Sequence, residues 1–461
     1  MKSIAQAAAA LAAGTTTSTA LVEAALARAS DPAGEGRATF IRLYREAALA
    51  QAAASDALRR HGIVASPLAG IPVSIKDLFD VAGETTLAGS KALIGAPPAT
   101  RDAAIVSRLR AAGAVIVGRT NMTEFAFSGV GINPHYGTPR NPWERGPTSA
   151  DGRVPGGSSS GAAVSITDDF ALAAIGTDTG GSVRIPAAVC GVTGFKPSQY
   201  RVPRGGCLPL SSTLDSIGPL ANSAADCALV DAVLAGEDPT LLPGPRPLSG
   251  ARLAAPQRYL LEGMDDTVAR AYHAALDRLS AAGARIVEIA LHELDELPAI
   301  NAGGGFPSPE AWAWHRGLIE SKGDAYDPRV RSRIERGAKM SAADYIEVHA
   351  RRASLIARID AQTADFDALV MPTVPIVAPA IQAFVPEPDY IRLNMLMLRN
   401  PGTFNFLDRC AVSLPCHEPG SAPVGLMLVG MNGADRSLLG LARSVERLLD
   451  RAGCTGPGAG S

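Results

Sequence analysis

The segment GTDTGGSVRIP, Gly176–Pro186, concentrates glycine, threonine, aspartate, serine and arginine in one short loop. Three kinds of chemistry suit such a composition: cradling a phosphate, presenting a nucleophile, or only turning the chain. The phosphate reading fails on spacing. Gly176, Gly180 and Gly181 match neither GxxxxGK[ST] nor GxGxxG, and no lysine follows the second glycine. A GxSxG nucleophile elbow is also absent, because Val183, Arg184 and Ile185 follow Ser182. What remains is a serine behind two glycines. Glycines let successive backbone N–H groups point into one concavity, which suits a developing oxyanion if a nucleophile stands beside it. A serine hydroxyl is inert at neutral pH, so the sequence must also supply a base.

Two other segments offer partners. PGGSSSGAA (155–163) puts three serines behind two glycines, a composition that fits a flexible turn equally well. IPVSIKDLFD places Lys76 at the end of an apolar strand, where burial would lower its pKa. The alternatives for Lys76 are snorkelling to solvent or pairing with Asp77. The seven histidines stand in helix or turn contexts without partner motifs and read as surface or packing residues.

Composition narrows the field. The 461 residues are 47% hydrophobic and 19% charged, an ordinary globular balance. A net charge of -2 and 5% aromatics give no electrostatic or stacking basis for a nucleic-acid partner. The six cysteines show no CxxC pair and no metal-ligand spacing, so they read as reduced thiols of a cytoplasmic protein without a metal. No apolar run is long enough to span a membrane. The opening MKSIAQAAAALAAG has some signal-peptide character, but Gly14 and the following TSTALVEAALARA favour two surface helices.

The positioning elements are legible as alternating strands and helices from about residue 70. Strands are expected at 71–77, 114–118, 251–256, 284–291, 367–373, 411–416 and 423–430. Helices are expected at 103–113, 267–283, 342–364 and 434–450. This alternation predicts an α/β architecture around a large sheet. Proline-rich stretches at 238–249 and 372–388 read as connectors, too short to separate independent domains.

Taken together and in order, GIPVSIKD, GRTNMTEF, YGTPRNPW, PGGSSSGAA, GTDTGGSVRIPAAVCGVTGFKPS and DSIGPLANS, with PVGLMLVG before a closing helix, resemble the amidase signature family of serine hydrolases. The resemblance spans roughly residues 5–450 and is weakest between 235 and 340. It implies one large α/β domain with a central mixed β-sheet covered by helices on both faces. Within it, 1–64 would form N-terminal helices on the core and 65–235 the signature core. Residues 236–450 would complete the fold and the substrate pocket, and 451–461 would be a disordered tail.

The family's Ser–cis-Ser–Lys triad maps onto Lys76 as base, Ser158 as bridging serine after a cis bond, and Ser182 as nucleophile. The 24-residue interval between the two serines agrees with the family's spacing. Only about 1 in 2,500 free lysines is neutral at pH 7, so a usable base needs a shift of about 3 units, or about 4 kcal/mol. The resemblance also implies an oxyanion hole from the backbone of Thr179, Gly180, Gly181 and Ser182, with Ser159 in support. Asp178 and Arg184 are expected to brace the loop, the alternative for Arg184 being a substrate carboxylate. Phe125 and Phe127 are expected either to line the acyl pocket or to be core aromatics, and the two tryptophans of EAWAWHRG (310–317) either a pocket wall or a packing face. One departure stands out: Ser160 replaces the usual glycine after the two serines and adds a side chain near the relay.

The implied activity is hydrolysis of a small carboxamide through an acyl-enzyme, with no cofactor and no metal. No nucleic-acid or membrane partner is expected, and a homodimer is among the open oligomeric states. The alternatives are a component supplying ammonia for tRNA-dependent amidation, a carboxybiuret- or allophanate-type hydrolase, and an aryl- or indole-acetamide hydrolase. The intact triad disfavours a catalytically dead binding protein.

Overall fold

The strand expected around Lys76 forms at Pro72–Lys76, with every residue buried. A continuous buried run suits a central strand covered on both faces. It belongs to a computed structural model that describes residues 3–148 and 151–453. Among these residues one mixed sheet contains eleven strands: β1 (Phe40–Leu43), β2 (Pro72–Lys76), β3 (Val115–Thr120), β4 (Ala173–Asp178), β5 (Thr193–Lys196), β6 (Ser216–Ala221), β7 (Arg252–Pro256), β8 (Arg285–Ile289), β9 (Ala368–Pro372), β10 (Ala411–Pro415) and β11 (Gly425–Val429). Their spatial order is β1-β3-β2-β4-β6-β5-β10-β11-β9-β7-β8. Around the site, β2 runs parallel to both β3 and β4, and β4 pairs antiparallel with β6.

Side-chain alternation divides the sheet between two faces. Val73, Ile75, Ala173 and Ile175 join helices Ala104–Ala111 and Ala224–Ala235 in one core. Val115, Val117 and Ala174 join helices Ser18–Ala29 and Ser160–Thr167 in another. The far half repeats the pattern, with Leu253 and Ala255 in one cluster and Ala254 in the opposite one. Each fully buried Val or Ile contributes about 1.5–3 kcal/mol, so both faces hold the sheet. By the same alternation Ser74 and Lys76 share a face, and the Ser74 hydroxyl bonds Ser165 on helix Ser160–Thr167 at 2.9 Å. Lys76 is therefore directed to the layer that begins at the serine cluster.

Three details differ from expectation. The N-terminal segment is more than helices, because β1 pairs with β3 and extends the sheet. Phe40 draws it there, buried against Phe170 with ring centroids 5.9 Å apart. The closing helix runs Asp435–Gly453 and takes in the first residues of the segment expected as a tail. Residues 454–461 lie outside the described residues. Finally, the opening loop is only partly a loop: Gly176–Asp178 finishes β4, and Arg184–Pro186 begins helix Arg184–Cys190.

Candidate active site

Parallel strands β2 and β4 leave the sheet side by side, and their carboxyl ends form the crevice where ligands bind in such sheets. Lys76 closes β2 and is fully buried. Its Nζ donates to the hydroxyls of Ser158 and Thr177, each at 2.8 Å. Burial brings its pKa from 10.5 down to about 7, although Cys207, Asp215 and Asp178 pull it back up. Asp77 is not its partner: that carboxylate pairs with Arg119 at 2.7 Å.

Ser158 follows a cis Gly157–Ser158 bond. Gly157 must be glycine, since a Cβ there would lie 2.6 Å from the Gly131 nitrogen. The Ser158 carbonyl accepts from Thr123 N–H at 3.1 Å, and Ser159 N–H donates to the Ser182 carbonyl at 3.3 Å. The serine cluster and the Ser182 loop are thereby tied together. The Ser159 hydroxyl makes a long contact, 3.4 Å, to the Thr177 carbonyl. The Ser160 hydroxyl turns to the Asn121 carbonyl at 3.4 Å and not to the lysine or either of the other hydroxyls.

The Asp178–Arg184 brace is fully buried, with Nη2 to Oδ1 at 2.8 Å and Nε to Oδ2 at 3.1 Å. Burial alone would raise the Asp178 pKa, but Arg184 overrides it and holds the carboxyl well below the usual range. The same carboxylate accepts N–H bonds from Gly181 and Val183 and a side-chain bond from Asn405. Arg184 continues to the Pro401 carbonyl at 3.0 Å and Asn405 Oδ1 at 2.6 Å.

This wiring corrects one expectation. Gly181 N–H is not free for an oxyanion, because it donates to Asp178 at 2.8 Å. Its φ of +119° and a Cβ position 2.6 Å from Pro401 explain why glycine stands there. Among the described residues the N–H groups of Thr179, Gly180 and Ser182 donate to no protein acceptor, so these three can meet a ligand. Thr179 is fixed through its hydroxyl, which donates to Asp215. Burial pushes the Asp215 carboxyl up to about 6, against the Thr179, Ser211 and Leu210 donors that lower it.

Ser182 is 3% exposed, and its hydroxyl has no hydrogen-bond partner among the described residues. It opens on a cavity of about 910 Å³ whose wall includes Phe127, Thr179, Gly180, Leu214, Leu398 and Phe406. Phe125 does not reach this cavity. Its ring lies in the core against His315 (4.4 Å) and Tyr326 (5.0 Å), so its pocket role is corrected to packing. The backbone at Phe125 and Ala126 is left-handed, with φ of +50° and +61°. Trp314 packs with Phe125 and His315, and only the start of its helix, Pro307 and Ser308, touches the cavity.

Several site residues escaped sequence reasoning. Thr177 stands inside the opening loop and could have been found as the hydroxyl nearest the strand end. Asp215 belongs to DSIGPLANS and carried a motif signal. Asn405 and Pro401 had none. Among the described residues no group of three or more His, Cys, Asp or Glu is arranged to hold a metal ion.

A buried amine touching a serine hydroxyl, beside a second serine flanked by unused backbone donors, is an arrangement that suits C–N bond cleavage on an α/β sheet. The sequence profile of the Amidase family matches residues 20–439, and the chain belongs to this amidase signature family. It is similar to 2-amino-5-chloromuconic acid deaminase of Comamonas testosteroni, 38% identical over 405 residues and covering 86% of each chain. It is also 37% identical to a glutamyl-tRNA(Gln) amidotransferase component of Chloroflexus aggregans, over 96% of this chain and 95% of that one. Among solved structures, the peptide amidase of Stenotrophomonas maltophilia superimposes with a TM-score of 0.81 at 29% identity, covering 97% of each chain. The chain is thus a hydrolase of the C–N-cleaving amidase class.

Proposed function

We propose that this protein hydrolyses a small carboxamide to a carboxylate and ammonia or an amine, through an acyl-enzyme on Ser182. The observation that carries the reading is the 2.8 Å contact between a fully buried Lys76 and Ser158, with burial bringing the lysine pKa to about 7. A neutral Lys76 takes the Ser158 proton as Ser158 takes that of Ser182. The Ser182 hydroxyl, unpartnered in the free protein, turns to Ser158 when substrate fills the cavity, since catalytic hydrogen bonds commonly tighten only in the complex. Ser182 Oγ attacks the amide carbonyl, and the N–H groups of Thr179, Gly180 and Ser182 receive the oxyanion. The relay then returns a proton to the leaving nitrogen, and water cleaves the acyl ester by the reverse path.

Labelling with a serine-directed fluorophosphonate tests this. An adduct on Ser182 that is lost in Ser182→Ala, together with loss of ammonia release from a carboxamide panel, supports the reading. Labelling unchanged by Ser182→Ala sinks it. The likeness to glutamyl-tRNA(Gln) amidotransferase components over nearly the whole chain favours a second reading, release of ammonia from glutamine for a partner enzyme. Glutaminase activity that appears only on addition of partner proteins would establish that alternative.

A further inference from the structure

Arginine charge dominates the cavity beside Ser182. Its wall holds Arg333, Arg336, Arg392 and Arg399 and, among the described residues, no aspartate or glutamate. Arg392 is ion-paired, to Asp389 at 3.0 Å. The other three have no carboxylate within salt-bridge distance among the described residues. Arg333 donates to the Phe127 carbonyl at 2.7 Å and lies over the Tyr390 ring. Arg336 has one long bond, 3.2 Å, to the Ala302 carbonyl. Arg399 donates to Asn400 and to the Leu260 carbonyl, and its guanidinium sits 5.7 Å from the Tyr259 ring centroid.

A guanidinium offers five N–H donors in a planar fork, and carbonyl partners leave most of them unused here. Arg333 and Arg336 are three residues apart where helix Pro328–Glu335 continues as a tighter turn, so their side chains share a face. The bond from Arg333 to Phe127 fixes that pair beside the segment that also walls the nucleophile. The remaining wall is largely apolar, with Leu210, Leu214, Leu398 and Phe406. A protein of net charge -2 has therefore placed unpaired positive charge around one apolar chamber.

We infer that the substrate is an amide carrying a carboxylate at the end away from the scissile bond, joined by an apolar spacer, and that Arg333 and Arg336 receive that carboxylate. The inference rests on the amidase reading above. Glutamine also carries a distal carboxylate, but the ammonium beside it would meet arginines and no acidic side chain, so the wall favours a spacer that bears no amine.

The test compares adipamate with hexanamide, two amides of equal chain length that differ in the terminal carboxylate. Ammonia release should favour adipamate by at least about tenfold in kcat/KM, expressed mainly in KM. Arg333→Gln and Arg336→Gln should each reduce that preference at least about fivefold, and the double variant should bring the ratio near one. Glutamine should gain no such preference over hexanamide. Calorimetric binding of adipate to Ser182→Ala gives a readout independent of turnover, and Arg333→Gln in that background should weaken it. Equal turnover of adipamate and hexanamide by the wild-type protein overturns the inference and leaves the amidase reading intact. Arginine-dependent adipate binding without ammonia release from any amide supports the anion site and removes the amidase reading.

Discussion

Replacing Lys76 by methionine should remove a specific pH dependence of stability. In the folded protein burial lowers the lysine pKa to about 7, against 10.5 for the free side chain. That gap of about 3.5 units corresponds to about 5 kcal/mol. Below pH 7 both states hold the proton and the full penalty applies. Between about 7 and about 10.5 the unfolded chain keeps the proton that the folded chain has lost, so stability rises with pH by about 1.4 kcal/mol per unit. Above that window the penalty is gone. Methionine keeps the aliphatic stem but carries no proton. Removing the amine also leaves the Ser158 and Thr177 hydroxyls without this partner, a pH-independent cost of about 1–3 kcal/mol each. The slope is therefore the informative quantity. Urea denaturation of both proteins from about pH 7.5 to about 9.5 should show the wild type gaining about 2.7 kcal/mol on Lys76→Met. Stability curves that stay parallel across this range would refute the buried, neutralised lysine and with it the relay.

Other perturbations probe separate parts of the site. Asp178→Asn leaves Arg184 buried without a counter-charge and should cost about 3–5 kcal/mol, read as a lower thermal midpoint. Because Arg184 depresses the Asp178 pKa, the stabilisation is complete above the ordinary 3.8 and is lost only as pH falls below it, so acid unfolding of the wild type should begin in that range. Phe125→Ala should lower stability by about 3–5 kcal/mol, whereas Phe127→Ala should chiefly raise KM in the amide assay. Ser160→Gly should leave kcat within about twofold, since its weak bond goes to Asn121; a larger loss would place Ser160 in the relay.

What was legible in the sequence was the chemistry carried by local pattern. The apolar run ending in Lys76 read as a strand because a doubly covered strand has no choice but continuous hydrophobicity. Two glycines before Ser182 read as an oxyanion turn because that backbone needs residues without a Cβ. The Gly181 error came from the same logic: glycine content shows which amides can approach a ligand, not which are already held by Asp178. Phe125 and Phe127 could not be told apart, because the rings that take Phe125 into the core, His315 and Tyr326, come from far along the chain. β1, β4, β5 and β6 carry Gly, Pro, Ser or Arg and lose the apolar signal, while long-range pairing builds the strands regardless. The arginines of the chamber lie on helices that begin well over a hundred residues after Ser182, and long-range packing sets their approach to it.

That distance has a consequence during synthesis. Asn405, which bonds both the carboxylate and the carbonyl of Asp178, lies 227 residues downstream of it. At about 5–20 residues per second a ribosome takes roughly 11–45 s to add that stretch. For nearly all of that interval Lys76, Ser158 and Ser182 are already translated while the clamp on Asp178 does not yet exist. The loop around Ser182 is thus completed only once helix Glu387–Phe406, which carries Asn405, has been made. The site of an unfinished chain therefore lacks its Asn405 brace until most of the sequence has been made.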